Sequence, residues 1–288
     1  MLPKWYFNYK EIIDNFIIQY LDNYFDKQDD KNLDIFKESV YYSLKWWKRI
    51  RAILALEFYL VNSNRDINNI SINDDIIKYC LALEFIQAYS LIHDDLPCMD
   101  NDEYRRWELS TWKKYWDDTA TLVWDLLNSL AFEIIWESNK NKIWLELTKL
   151  LWKSIWYYWM LWWQILDIYY EWKSNELDLD KLINLHNKKT WALINASVIW
   201  WLILSWKEFN LEKYNNFWYK IWLAFQVKDD LNEKDKNKWY IEQKWFVYFI
   251  WEDKTKEYLK KLNKECLELI KDLKSSKLDE IVNYISLI

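Results

Sequence analysis

The chain has 288 residues, enough for one large core or two modest ones, and carries 45 acidic against 39 basic side chains for a net charge of −6. That balance argues against a nucleic-acid binder, and a hydrophobic fraction of 52% excludes disorder. The sequence offers no membrane span: the longest apolar approach, residues 152–168, is interrupted by Lys153, Gln164 and Asp167.

Taken in order, the elements read as helices almost throughout. Ile13, Phe16, Ile17, Tyr20, Leu21 and Tyr24 recur at the spacing of one helical face and predict a helix over 10–25. Similar patterns predict helices over 34–44, 50–61, 74–96, 118–137, 143–171, 180–206 and 211–231, with amphipathic closing helices over 255–273 and 276–288. Residues 62–71 are polar and patternless and read as a loop; 232–239 are charged and patternless, a loop or lid beside a site. β-Branched residues are scattered and never alternate, so no strand is expected. One all-helical domain over residues 1–288 follows. The N-terminus is acidic and aromatic, unlike a signal peptide, and Cys80, Cys98 and Cys266 lack metal spacing, so a reducing cytoplasm is expected.

One feature of the composition is physically abnormal. The chain has 24 tryptophans and no glycine, where about 7% glycine is ordinary. The tryptophans also sit where glycine belongs: Trp46-Trp47 before a basic helix start, Trp172 after a helical run, and the doublets Trp162-Trp163 and Trp200-Trp201 inside apolar helices. Glycine permits a positive φ and close backbone approach, and an indole permits neither cheaply. The inference is that every glycine of a parent sequence has been written as, or mutated to, tryptophan.

The chemistry concentrates in residues 87–106. An apolar helical run empties into Asp94, Asp95, Pro97, Asp100, Asp102 and Glu103, then into Arg105-Arg106. Carboxylates this dense repel one another unless a cation sits among them, and hard divalent ions such as Mg²⁺ take oxygen ligands. Paired arginines directly downstream suit a phosphate or diphosphate. An unbroken helix would point Asp100 away from Asp94. Pro97 ends the hydrogen-bond ladder and lets the chain bend Asp100 back. A second cluster, Asp229-Asp230 and Glu233, ends the apolar run 221–227, with Asp229 and Glu233 one turn apart. Two acidic helix ends facing one another would hold several Mg²⁺ ions with a bridging diphosphate, while Lys48, Arg51 and Arg106 offer a second diphosphate a cationic pocket without metal. No Ser-His-acid or Cys-His arrangement is present, and His93 and His186 read as packing or supporting residues.

These stretches resemble the short-chain trans-prenyltransferases, specifically the bacterial-type farnesyl diphosphate synthases. The matching residues are Trp46-Trp47-Lys48-Arg49-Ile50-Arg51, Tyr89 through Arg106, Lys188-Lys189-Thr190-Trp191-Ala192 and Phe225-Gln226-Val227-Lys228-Asp229-Asp230. The resemblance runs from about residue 10 onward, and family glycines fall at Trp107, Trp116, Trp124, Trp162, Trp163, Trp191 and Trp222. It implies an isoprenoid synthase-type helical bundle, a homodimer, and Mg²⁺-dependent condensation of isopentenyl diphosphate with dimethylallyl or geranyl diphosphate. It further implies that Lys48, Arg51, Arg106 and Gln87 bind isopentenyl diphosphate; Gln87 stands where bacterial members commonly carry histidine. Asp94 and Asp100 would ligate Mg²⁺ with Asp95 helping, and Asp229 would complete the set with Asp230 and Glu233 beside it, the last commonly Asp in the family. Arg105 and Lys189 would clamp the allylic diphosphate, with Thr190 and Gln226 lining the site, and a further lysine falls at Lys244 or Lys238. The usual basic chain end is missing. Tyr89, five residues before Asp94, would floor the tail cavity and stop growth at fifteen carbons. The alternatives are a geranylgeranyl diphosphate synthase, or a non-catalytic helical subunit of a prenyltransferase, which would have no reason to crowd repelling carboxylates. A terpene cyclase would leave Lys48, Arg51 and Arg106 unexplained.

Overall fold

The computed structural model describes residues 2–27, 30–45, 48–105, 107–137, 210–236 and 246–286, with short pieces between 145 and 183. The chain divides into two compact units, one holding residues 4–56 and 65–145, the other 1–3, 57–64 and 146–288.

In the first unit, α1 (Lys4–Phe25) buries Tyr6, Tyr9, Ile13, Ile17, Tyr20, Leu21 and Phe25, a single stripe at steps of three and four. The helix begins earlier than the aliphatic pattern alone predicts because the tyrosines at 6 and 9 extend the same stripe. After α2 (Asp34–Leu44) and the start of α3 (Ile50–Ser63) comes α4 (Asp75–Asp95), whose residues from Ile76 to Ala88 are buried on nearly every face. A helix surrounded by neighbours needs apolar residues all round. Here α6 (Asp117–Trp136) packs along α4, joined by α1 and α2. The start of α4 is fixed by Asp74, which accepts the Ser71 backbone N–H at 2.8 Å and pairs with Arg65 at 2.9 Å.

Between α4 and α6 lie a short helix, α5 (Thr111–Tyr115), and a two-stranded antiparallel hairpin, β1 (Tyr104–Arg105) with β2 (Glu108–Leu109). Tyr104 faces Leu109 and Arg105 faces Glu108. This corrects the expectation of no strand; two-residue strands are too short to display alternation. The hairpin reverses through Trp107 at φ 75°, a left-handed conformation natural to glycine in such turns.

In the second unit, α7 (Leu211–Lys236), α8 (Phe246–Ile250), α9 (Glu252–Ile270) and α10 (Ser276–Ser286) enclose a core of Leu223, Val227, Leu231, Phe246, Leu259 and Leu262. The closing helices are the amphipathic pair expected: α9 buries Leu259, Leu262, Cys266 and Ile270, and α10 buries Leu278, Ile281, Val282 and Ile285. Asn263 joins them, donating to the Asn283 amide oxygen at 2.9 Å and to the Ser286 hydroxyl at 2.7 Å. A second correction concerns 232–236, expected in a loop: α7 runs on to Lys236. Residues 232–236 are all polar or charged, so this end of the helix has no apolar period to read. Most of the helices expected over 143–171 and 180–206 lies outside the described residues.

Candidate active site

The acidic motif sits where α4 stops. Leu96 donates its backbone N–H to the His93 carbonyl at 3.3 Å, Met99 to the Leu96 carbonyl at 2.9 Å, and Asp100 to the Asp94 carbonyl at 2.9 Å. Asn101 closes the turn with φ 55°, a left-handed conformation that asparagine tolerates. The chain therefore folds back directly after Pro97, and the backbone of Asp100 is bonded to that of Asp94. Asp94 is half-buried and Asp100 exposed, so both residues of this backbone-bonded pair have solvent access at the helix end. The His93 ring lies beside Asp94, with Nδ1 3.7 Å from Oδ1.

Asp95 has a different environment. It is buried, and Arg105 on the hairpin donates from Nε to both of its oxygens at 2.7 and 2.9 Å and from Nη2 to Oδ1. Burial raises the Asp95 carboxyl to about 6, with Arg105 opposing the rise. At neutral pH the pair is ionic and ties the hairpin to the end of α4. Arg105, expected to clamp a diphosphate, is engaged here by Asp95 and lies 3.6 Å from Asp102.

The basic motif 46–51 shows a role that the sequence analysis missed. Lys48 is exposed and Arg51 half-buried, whereas Arg49 between them is 4% exposed and turns inward at φ 57°. Its guanidinium reaches Asp14 of α1 at 2.7 Å, Glu84 of α4 at 3.1 Å and the Leu44 carbonyl at the end of α2. One buried cation thus fastens three helices at the junction between Lys48 and the first turn of α3, which carries Arg51. The signal was there in Glu84, a lone acid in the otherwise apolar part of α4. Arg49→Ala in the glycine-restored chain is expected to cost about 3–5 kcal/mol, because it strands a buried carboxylate. Urea unfolding checks this, and a loss below about 1 kcal/mol would make the triad dispensable. Gln87 is buried on α4; Arg106, Lys189 and Thr190 lie outside the described residues, as do Lys238 and Lys244.

The second acidic cluster lies on α7 in the other unit. Gln226 is half-buried, Asp229 is exposed and Asp230 is buried. Asp230 Oδ2 accepts the Phe246 backbone N–H at 2.8 Å, satisfying an open donor at the start of α8. The neighbouring acids thus divide their tasks: Asp230 holds structure and Asp229 faces outward. Glu233 belongs to the same helix, its side chain outside the described residues. Among the described residues no three His, Cys, Asp or Glu side chains are gathered as for a metal ion. Asp95 is turned into its ion pair, and the acids of the two motifs belong to different units. Asp94 and Asp100 nonetheless fit Mg²⁺ by donor type, two hard carboxylates on one turn.

Tyr89 is half-buried one turn further down α4. Its ring stacks on Trp124 of α6, with centroids 5.7 Å apart and planes inclined by 22°, and Trp124 also lies 4.9 Å from the ring of His93.

Solved structures define the class. A geranyltransferase from Helicobacter pylori superposes with a TM-score of 0.79 at 28% identity, covering 97% of this chain and 95% of that one. An FPP/GFPP synthase from Zymomonas mobilis superposes with a TM-score of 0.81 at 26% identity, covering 98% and 99%. The fold is the all-α bundle of the isoprenoid synthases. The sequence profile of the polyprenyl synthetases matches residues 33–239, and the chain belongs to that family. Among its relatives, the farnesyl diphosphate synthase of Micrococcus luteus is 36% identical over 67% of this chain and 65% of its own length. That of Buchnera aphidicola (Acyrthosiphon pisum) is 34% identical over 79% and 82%. A geranylgeranyl pyrophosphate synthase of Arabidopsis thaliana is 32% identical over 87% and 69%.

Proposed function

We propose that the chain, as one catalytic domain over residues 1–288 acting as a cytoplasmic homodimer, condenses isopentenyl diphosphate head to tail with dimethylallyl and then geranyl diphosphate to give farnesyl diphosphate. The observation that carries this is the turn after Pro97, which bonds the backbone of Asp100 to that of Asp94 beside a hairpin whose Arg105 pairs with Asp95. Related chains named for farnesyl and for geranylgeranyl products support the reaction class equally. No helix among the described residues is long and apolar enough to cross a membrane.

In this reading Asp94 and Asp100, with Asp229 and its neighbours Asp230 and Glu233, would hold Mg²⁺, and the bound ion would supply positive charge against the diphosphate that leaves the allylic substrate. Asp95 acts by holding Arg105. Arg105 and Lys189 add positive charge where the leaving diphosphate accumulates it, with Thr190 and Gln226 lining the site. Lys48, Arg51, Gln87 and Arg106 hold the isopentenyl diphosphate by its own phosphates, so its double bond is presented to the allylic cation. A carbon–carbon bond forms, the allylic carbon–oxygen bond breaks, and a proton leaves for the departing diphosphate. No protein nucleophile takes part.

Product length rests on Tyr89. A tail descending α4 from Asp94 meets its ring, whereas Ser90 is too small to stop a chain. In the glycine-restored chain, Tyr89→Ala is expected to shift the product from fifteen toward twenty carbons with only a modest loss of rate, read by chromatography of the dephosphorylated products. Persistence of the fifteen-carbon product with excess isopentenyl diphosphate would exclude Tyr89 as the floor and remove the residue-level argument for farnesyl over geranylgeranyl.

A further inference from the structure

Trp116 and Trp251 each join two helices, α5 to α6 and α8 to α9, at φ 67°, ψ 161° and φ 61°, ψ 157°. That corner of conformational space is essentially restricted to glycine, because any Cβ collides with the backbone there. Trp107 turns the hairpin at φ 75°. All three indoles are largely exposed, so no burial compensates for the strain. Inside the second unit the opposite problem appears at Trp218: the ring is fully buried against Phe58 and Phe217, and its Nε1 has no hydrogen-bond partner. Strained exposed tryptophans and an unsatisfied buried one are two faults with one remedy.

The counts identify the cause. At about 7% a chain of this length holds about 20 glycines, so 24 tryptophans equal the missing glycines plus a few ordinary tryptophans. Mutation at many sites leaves some glycine behind; a change in the meaning of one codon leaves none where that codon is the gene's only glycine codon. We infer that the gene encodes these positions with UGA, one base from the glycine codon GGA and one from the tryptophan codon UGG, and that its own cell reads UGA as glycine. The abundance of Asn, Lys and Ile fits an AT-rich gene in which GGN codons have been lost. The cellular protein then carries glycine at 107, 116, 218 and 251, which relieves the backbone at 107, 116 and 251 and removes the unpartnered indole N–H at 218. Peptide sequencing by mass spectrometry of the protein purified from its own organism tests this. Glycine at 116 and 251, with UGA at both codons, is expected. Tryptophan in either peptide, or UGG at either codon, overturns the inference.

A second inference rests on a different observation, the stack of Trp124 on Tyr89 and His93, and on the proposed reaction. Position 124 lies on α6 where it faces α4 just below Asp94. With glycine at 124, the space of an indole opens beside the Tyr89 ring, comparable to one isoprenyl unit. We propose that the growing tail occupies this seam, so that position 124 sets product length together with Tyr89. The test starts from the glycine-restored chain, supplied with isopentenyl and dimethylallyl diphosphates and Mg²⁺. If that chain makes no prenyl product, the proposed reaction fails irrespective of position 124. If it makes farnesyl diphosphate, retaining Trp124 alone is expected to leave the first condensation within a few fold and reduce the second at least tenfold, so geranyl diphosphate accumulates. An unchanged product, or equal loss of both condensations in a chain that still melts cooperatively, overturns the assignment. Should the chain that retains Trp124 fail to fold, Trp124→Ala with glycine at every other tryptophan position decides. A geranyl-to-farnesyl ratio above that of the fully restored chain supports the assignment, and an unchanged ratio overturns it.

Discussion

A chain with glycine at the tryptophan positions is expected to melt in one cooperative transition, far more stable than the tryptophan chain. The junctions at 116 and 251 contribute about 1–3 kcal/mol of backbone strain each, about 2–6 kcal/mol together. The unpartnered indole N–H of Trp218 adds about 1–3 kcal/mol. Against a total stability of about 5–15 kcal/mol, these faults remove a large share of what holds a typical domain folded. The cleanest version puts tryptophan back at 116 and 251 alone in the all-glycine chain and compares urea midpoints at unchanged slope. A loss of about 2–6 kcal/mol is expected there. A sharper and more stable transition in the full tryptophan chain would contradict the replacement itself.

The second large effect concerns the carboxylates. In the glycine-restored chain, Asp94→Asn or Asp229→Asn is expected to lower turnover at saturating substrate by on the order of 100-fold or more while leaving the melt in place. Under the proposed reaction each change removes a negative charge where Mg²⁺ and diphosphate would meet, and asparagine keeps the shape. Asp94 is half-buried and Asp229 exposed, so neither substitution opens a core. Asp95→Asn should behave differently, because it weakens the pair with Arg105 and so lowers stability as well as rate. Near-normal turnover of the Asp94 or Asp229 variant at saturating Mg²⁺ would remove that residue from the ligand set.

Much of this molecule was legible before any coordinates. Helical periodicity located α2, α4, α6 and α9 because each has a face or a whole circumference to bury. Pro97 announced the turn that returns Asp100 to Asp94, since a proline there cannot continue the ladder. What escaped was long-range or too short to have a pattern. The hairpin at 104–109 has two residues per strand, and the last turn of α7 carries no apolar face. The inward turn of Arg49 depends on Asp14 and Glu84, each 35 residues away in sequence. The motif showed three cations without showing which one was structural. Likewise the acidic pair 229–230 looked uniform, although one carboxylate caps α8.

The most direct measurement incubates the glycine-restored chain with isopentenyl and dimethylallyl diphosphates, with Mg²⁺ or with EDTA, and identifies the products by mass after dephosphorylation. The account predicts geranyl and then farnesyl products with release of diphosphate, all abolished by EDTA and restored by added Mg²⁺. A folded chain that lengthens no allylic diphosphate, or one that does so equally well in EDTA, would contradict it.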